Sequence, residues 1–141
     1  MTRIESDKIL INKSPSEVFS FLSDFNNYKS LMPEQVVDWK STNEECSFTI
    51  KGMASLGMKI KEKKPASEII IVKNGKAPFD FELHCVINTP GENPNQCFLQ
   101  LFFDADLNPF LKMMAEKPLK NFLNLLVNNY RINSDTGAPG S

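Results

Sequence analysis

Between Val36 and Ala105 the sequence is a series of short segments rich in Val, Ile and Phe, separated by turn residues. The breaks include Pro65 and the pair Asn74-Gly75, which is typical of a β-hairpin. The predicted strands are residues 36–40, 45–51, 57–63, 68–73, 79–89 and 96–105. Because consecutive strands with short connections pair as neighbours, this region predicts an antiparallel meander.

Two helix signals and one strand precede the meander. Residues 2–12 carry Ile4, Ile9 and Ile11 and predict a strand. Ser14 and Glu17 then form a capping box with Pro15 at the first helical position, which predicts a short helix up to Asn26. A second short helix is expected over residues 28–32.

The most strongly patterned segment is residues 109–130, which predicts a long helix. Its apolar side chains fall within an arc of about 140° on a helical wheel, wide enough to lie across a sheet; they are Leu111, Met114, Ala115, Pro118, Leu119, Phe122, Leu125 and Leu126. Pro118 removes a backbone donor, so a kink is expected there. Residues 1–131 are therefore predicted to form one domain, and residues 132–141 a disordered tail.

Composition and charge exclude several classes of protein. The chain has 141 residues, of which 41% are hydrophobic, the ordinary range for one globular domain. Its 16 basic and 17 acidic side chains give a net charge of −1, which argues against a nucleic-acid partner. No apolar run is long enough for an integral membrane segment, and the charged N-terminus lacks a signal-peptide core, so a cytoplasmic location is expected.

The three cysteines, Cys46, Cys85 and Cys97, are widely spaced and outside any Cys or His cluster. They predict core residues, and neither a metal site nor a cofactor is indicated.

The order of these elements resembles the START-like superfamily, also called SRPBCC, which includes polyketide cyclases and dehydratases and lipid transfer domains. The resemblance runs from Ile4 to about Tyr130. It rests on the strand series, on the terminal amphipathic helix, and on Ser14-Pro15-Ser16-Glu17-Val18-Phe19 continuing through Leu22, Asp24 and Tyr28 to Pro33. It implies an α+β helix-grip fold: a curved, antiparallel seven-stranded sheet with two short helices that grips the long C-terminal helix, commonly around a cavity for an apolar ligand.

The residues agree with this implication in one respect. Two strands keep apolar side chains on a single face; these are Phe79, Phe81, Leu83, Cys85 and Ile87, and then Cys97, Leu99, Leu101, Phe103 and Ala105. A filled core of two layers needs the same pattern, so periodicity alone leaves a cavity and a filled core both open.

The leading prediction is a binding domain for a hydrophobic small molecule such as a lipid, a quinone or a polyketide-like compound. The predicted ligand-binding residues are Phe48, Ile50, Met58, Ile60, Phe81, Leu83, Leu99, Leu101, Phe103, Leu111, Met114, Ala115, Pro118 and Phe122. The ligand is expected to pass near Pro118 and residues 53–57.

Catalytic groups are scarce, so binding is favoured over an enzymatic role and no catalytic residue is assigned. His84, the only histidine, is expected on the outer face with Asp80 and Glu82, and Asp104 with Asp106 is expected to mark a solvated strand end. A cyclase or dehydratase would need an inward polar group, for which Tyr28 is the best-placed candidate.

A third possibility is a protein-interaction module. It would use Phe98 and Phe102 on the outer face, or the lysine-bearing strand of residues 59–64, and the chain would be a monomer or a homodimer.

Overall fold

Eight strands form one open antiparallel sheet with a long C-terminal helix against one face in the computed structural model, which describes residues 1–75, 77–89, 91 and 93–135. The strands are β1 (Thr2–Glu5), β2 (Ile9–Ile11), β3 (Val36–Ser41), β4 (Glu45–Ile50), β5 (Ala54–Lys64), β6 (Glu68–Lys73), β7 (Phe81–Asn88) and β8 (Cys97–Ala105). The helices are α1 (Pro15–Leu22), a 3₁₀ helix (Phe25–Leu31) and α2 (Pro109–Asp135). The α+β architecture is the one expected.

The sheet order confirms the predicted meander. Strands β3 to β8 lie side by side in chain order, and the chain start pairs with β8 at the far edge. The single strand predicted over residues 2–12 is divided into β1 and β2, which pair with successive parts of β8. Ser6 lies at the division, where its hydroxyl accepts a hydrogen bond from the Leu101 amide at 2.8 Å. Because β1 and β2 lie one after the other along the same edge of β8, they take the place of one strand, and the sheet is seven strands wide, as expected.

The start of α1 follows the predicted capping box. The Ser14 hydroxyl oxygen accepts a hydrogen bond from the Glu17 amide at 3.2 Å, and Pro15 occupies the first turn. The cap satisfies a helix-terminal amide that would otherwise lack a partner, which fixes where the helix begins. Val18, Phe21 and Leu22 then bury one side of α1.

Helix α2 begins as predicted and ends later. The Asn108 side chain accepts a hydrogen bond from the Leu111 amide at 2.8 Å and caps the helix before Pro109. The helix continues through Pro118 and ends at Asp135. The predicted tail therefore overlaps the helix at 132–135, and residues 136–141 lie outside the described residues. Among the described helices, none combines the length and apolarity needed to cross a lipid bilayer.

The face that α2 buries differs from the predicted one. The buried apolar residues are Leu119, Leu123, Leu126, Val127 and Tyr130. At 100° per residue the centre of this face is rotated by about 95° from the centre of the predicted arc. Met114, which is 63% exposed, and Pro118 lie on the solvent side instead. The expectation that Met114 and Pro118 face the sheet is therefore wrong. The exposed first turns of α2 also carry apolar side chains, and including them displaced the predicted arc from the buried face.

Candidate functional site

Two small voids lie between the sheet and α2. The larger has a volume of about 40 Å³ and the smaller about 20 Å³. Ligand pockets usually measure about 300–1,000 Å³, whereas a single water needs about 10–15 Å³. The interface is therefore close to filled in this conformation, with unoccupied space at its centre.

The larger void is bounded by three parts of the chain. The sheet contributes Phe48, Ile50, Leu56, Met58, Phe81, Leu83 and Phe103. Helix α2 contributes Leu119, Phe122, Leu123 and Leu126, the 3₁₀ helix contributes Tyr28, and Met32 directly after it completes the lining. The void surface is entirely apolar, so only an apolar group could gain by filling it.

The smaller void is adjacent and lies toward α1. Its lining comprises Leu22, Tyr28, Leu31, Leu83, Cys85, Leu99, Leu101, Leu126, Val127 and Tyr130. Tyr28, Leu83 and Leu126 line both voids, so their side chains form the partition between them.

Most of the site residues predicted on the sheet reach these voids. Phe48, Ile50, Met58, Phe81, Leu83 and Phe103 line the larger void, and Leu99 with Leu101 lines the smaller. Ile60 packs against the core but lines neither void. Whether any of these residues contacts a ligand stays a prediction.

The prediction was less accurate on the helix. Phe122 lines the larger void, whereas Leu111 and Ala115 are half-buried and line neither. Met114 and Pro118 face solvent, as the rotated face of α2 requires. Leu123 and Val127 line the voids but were not predicted as site residues. They are four residues apart, and Tyr130 follows three residues later, so the sequence contains an apolar stripe at helical spacing that indicates them.

Of the polar groups nearest the voids, those of Tyr28 and Cys85 are engaged, whereas the Tyr130 hydroxyl beside the smaller void has no hydrogen-bond partner among the described residues. The Tyr28 hydroxyl donates a hydrogen bond to the Leu22 carbonyl at 2.7 Å and lies 3.9 Å from the Cys85 sulfur. Burial raises the pKa of Tyr28 well above its ordinary value, and it raises that of Cys85 to about 12. Both groups therefore stay protonated near neutral pH, which is unsuitable for a general base.

The outer face of the sheet carries the histidine, as predicted. His84 Nδ1 lies 2.7 Å from a Glu68 carboxylate oxygen, and His84 Nε2 lies 3.2 Å from Glu82. Arg3 holds Asp104 through two hydrogen bonds and lowers the pKa of that carboxyl. Within the described ranges, no group of three His, Cys, Asp or Glu side chains could hold a metal ion.

The outer phenylalanines are covered by cations. The Arg3 guanidinium lies 5.1 Å from the Phe102 ring centre, and the Lys8 ammonium lies 4.8 Å from that of Phe98. Both rings are half-buried, so the apolar area they offer a protein partner is reduced.

Comparison with known proteins identifies the fold. No protein-family model matches the sequence, and a search of curated proteins gives no significant match. Solved structures do match: a START superfamily protein from Mycobacterium smegmatis superposes with a TM-score of 0.75 at 14% identity, covering 96% of this chain and 99% of that one. The XoxI protein of Bacillus cereus gives 0.75 at 11% identity, covering 95% of this chain and 96% of that one.

One match is to half of a longer protein. The di-domain ARO/CYC protein BexL, from the BE-7585A biosynthetic pathway, superposes with a TM-score of 0.69 at 14% identity. The match covers 96% of this chain and 48% of BexL. Together these likenesses show that the chain has the START-like helix-grip fold.

Proposed function

We propose that this chain is a binding domain that holds an apolar small molecule, such as a lipid, a quinone or a polyketide-like compound, between the sheet and α2. The observation that carries the proposal is the pair of adjacent, wholly apolar voids at the sheet–helix interface. The START superfamily protein and BexL, which share this fold, are consistent with such a role.

The small volume of the voids requires that the site opens to admit a ligand. Helix α2 could open the site, because its first half has fewer contacts that fix it to the rest of the fold than its second half has. All of its buried side chains lie at Leu119 or beyond, and residues 109–118 contain none. Asn124 and Asn129 in the second half bond the Asp7 amide and the Leu31 carbonyl, both at 2.7 Å.

Pro118 lies at the boundary between the two halves. It has no amide hydrogen, so the Met114 carbonyl lacks its usual helical partner and the backbone bends more easily there. Residues 109–118 do not line the larger void, but their outward movement would uncover the adjoining turn of α2, where Leu119 and Phe122 line it, while the second half stays attached. This is the opening through which we propose that the ligand passes.

A binding role is preferred to a cyclase or dehydratase role. The polar group best placed for acid–base work, the Tyr28 hydroxyl, is hydrogen-bonded to a backbone carbonyl, and its pKa is raised. Ligand affinity would come from burial of apolar area, at about 25 cal/mol per Å².

The experiment is native mass spectrometry of protein purified without detergent, followed by organic extraction of any bound compound. The wild type is expected to carry an apolar adduct or to gain one from a lipid and quinone panel. Leu123→Phe, which fills the larger void, should lose it, whereas Leu125→Phe, at a position 40% exposed on the same helix, should keep it. A wild type that remains free of any adduct, with no thermal stabilisation by the panel, would refute the proposal.

A further inference from the structure

The first turns of α2 expose three large apolar side chains together. Phe110 is 65% exposed, Met113 79% and Met114 63%. On a helical wheel they fall within an arc of about 100°. We call these three residues the α2 patch. Side chains of this size cluster on a surface mainly where something covers them.

Positive charge lies beside the α2 patch: at 100° per residue Lys117 falls within its arc and Lys120 about 20° outside it, whereas Lys112 lies about 100° outside it. Lys112, Lys117 and Lys120 lie within the same turns, and Glu116 is the only acid among residues 109–120. None of these three lysines forms an ion pair with another described residue. The segment therefore presents apolar side chains and the charges of Lys117 and Lys120 to the same partner.

The lysines of β5 provide a contrast within the same protein. Lys61 pairs with Glu82 at 3.4 Å, and Lys63 pairs with Glu44 at 3.8 Å. Lys64 lies 3.5 Å from Glu68. Three of the four lysines of this strand are thus paired within the protein, so the strand predicted as an interaction surface is a weaker candidate than α2 for an anionic partner.

We propose that the α2 patch docks this protein onto the surface of an anionic lipid bilayer. Phe110, Met113 and Met114 would enter the boundary between headgroups and acyl chains, and Lys117 and Lys120 would lie among the lipid phosphates. A helix with an apolar stripe and flanking lysines binds a bilayer in this orientation, lying along the surface.

The charge beside the α2 patch favours an anionic bilayer over a second copy of the chain as its partner. A two-fold dimer through the α2 patch would place the lysines of one copy against those of the other, and their repulsion would oppose association. A bilayer rich in anionic lipid removes that repulsion. The patch is also convex, since it lies on one exposed helix, and a fluid bilayer needs no complementary groove.

The test is co-sedimentation of the ligand-free protein with lipid vesicles, so its outcome is independent of whether the interior binds a ligand. Vesicles of phosphatidylcholine with about 30 mol% phosphatidylglycerol are compared with phosphatidylcholine alone. The wild type is expected to sediment with the anionic vesicles and to be released as salt approaches about 0.5 M.

Two variants and one control locate the contact. Phe110→Ser/Met113→Ser/Met114→Ser should lower the partition coefficient at least about tenfold. Lys117→Gln/Lys120→Gln should lower binding to anionic vesicles and weaken its salt dependence. Ile132→Ser, at a position 50% exposed near the other end of α2, should bind as the wild type does. All substituted side chains are exposed, and circular dichroism checks that each variant is folded.

Three outcomes would overturn the proposal. The wild type would fail to bind anionic vesicles, or both multiple variants would bind as strongly as it does. Alternatively, light scattering would show a wild-type dimer that the serine variant converts to a monomer, which would assign the α2 patch to self-association.

Discussion

The Tyr130 hydroxyl allows a sharp test of the packing between α2 and the rest of the fold. Tyr130 is 1% exposed, and its ring packs edge-on against Phe21 with the ring centres 4.9 Å apart. Its hydroxyl is buried and has no hydrogen-bond partner among the described residues. Burial also raises the pKa of this phenol. Tyr130→Phe removes the hydroxyl and keeps the ring contact.

The expected effect is a gain in stability. A buried polar group without a partner costs about 1–3 kcal/mol, because it loses its bonds to water on folding. Removing it should therefore raise the free energy of unfolding by about 1 kcal/mol, equivalent to about 3 °C in Tm for a chain of this size. Urea unfolding followed by circular dichroism measures the change.

Tyr28→Phe is the matched control, since Tyr28 is also buried but its hydroxyl donates to the Leu22 carbonyl at 2.7 Å. That substitution should lower the free energy of unfolding by about 1–2 kcal/mol. The two tyrosines are thus expected to give changes of opposite sign. A loss of about 1 kcal/mol or more in both variants would refute the reasoning, because the Tyr130 hydroxyl would then be hydrogen-bonded in solution.

Other features of the core make predictions of similar precision. Gly57→Ala would drive its Cβ atom into the Asn74 carbonyl oxygen, so it should lower the free energy of unfolding by about 2 kcal/mol or more; a loss below about 0.5 kcal/mol would contradict this. Leu123→Ala should cost about 2–5 kcal/mol and let the enlarged void bind benzene, detected as a rise in Tm that the wild type lacks. Burial raises the pKa of Cys46 and Cys85 from 9.0 to about 12, so labelling by a thiol reagent at pH 8 should be much slower in native protein than in urea. These raised pKa values also mean that stability falls as the pH rises above about 9, a fall that buried-thiol variants such as Cys85→Ala should reduce.

The strand order was predictable because the hydrophobic alternation within the strands and the turn residues between them both indicate an antiparallel meander. Alternation in β7 and β8 places Phe81, Leu83 and Phe103 on the inner face, and these residues line the larger void as the period of two requires. The turn signals between strands are equally local. Such features need no knowledge of distant contacts, so the sheet and its inner face follow from the sequence.

The helix side of the site was less predictable, because hydrophobicity marks which residues are apolar and does not tell which partner they face. Phe110, Met113 and Met114 are apolar but exposed. Because the predicted apolar arc included Met114, its centre was displaced from the face that α2 buries. Residues that α2 buries, such as Leu123, are fixed by contacts with the sheet and the 3₁₀ helix. The division between β1 and β2 likewise depends on Ser6 bonding the backbone of β8, a contact between residues far apart in the chain.

The two proposals bear on each other through the first half of α2. A ligand much larger than about 40 Å³ must displace part of the core, and displacement is least costly where no side chain is buried. Residues 109–118 satisfy that condition and also carry the α2 patch. A bilayer that takes up Phe110, Met113 and Met114 would therefore pull on the segment whose movement we propose uncovers the turn of α2 that lines the larger void. Membrane contact and opening of the site would then be thermodynamically linked, so anionic vesicles should increase the rate at which an apolar probe enters the wild-type interior but not that of the serine variant.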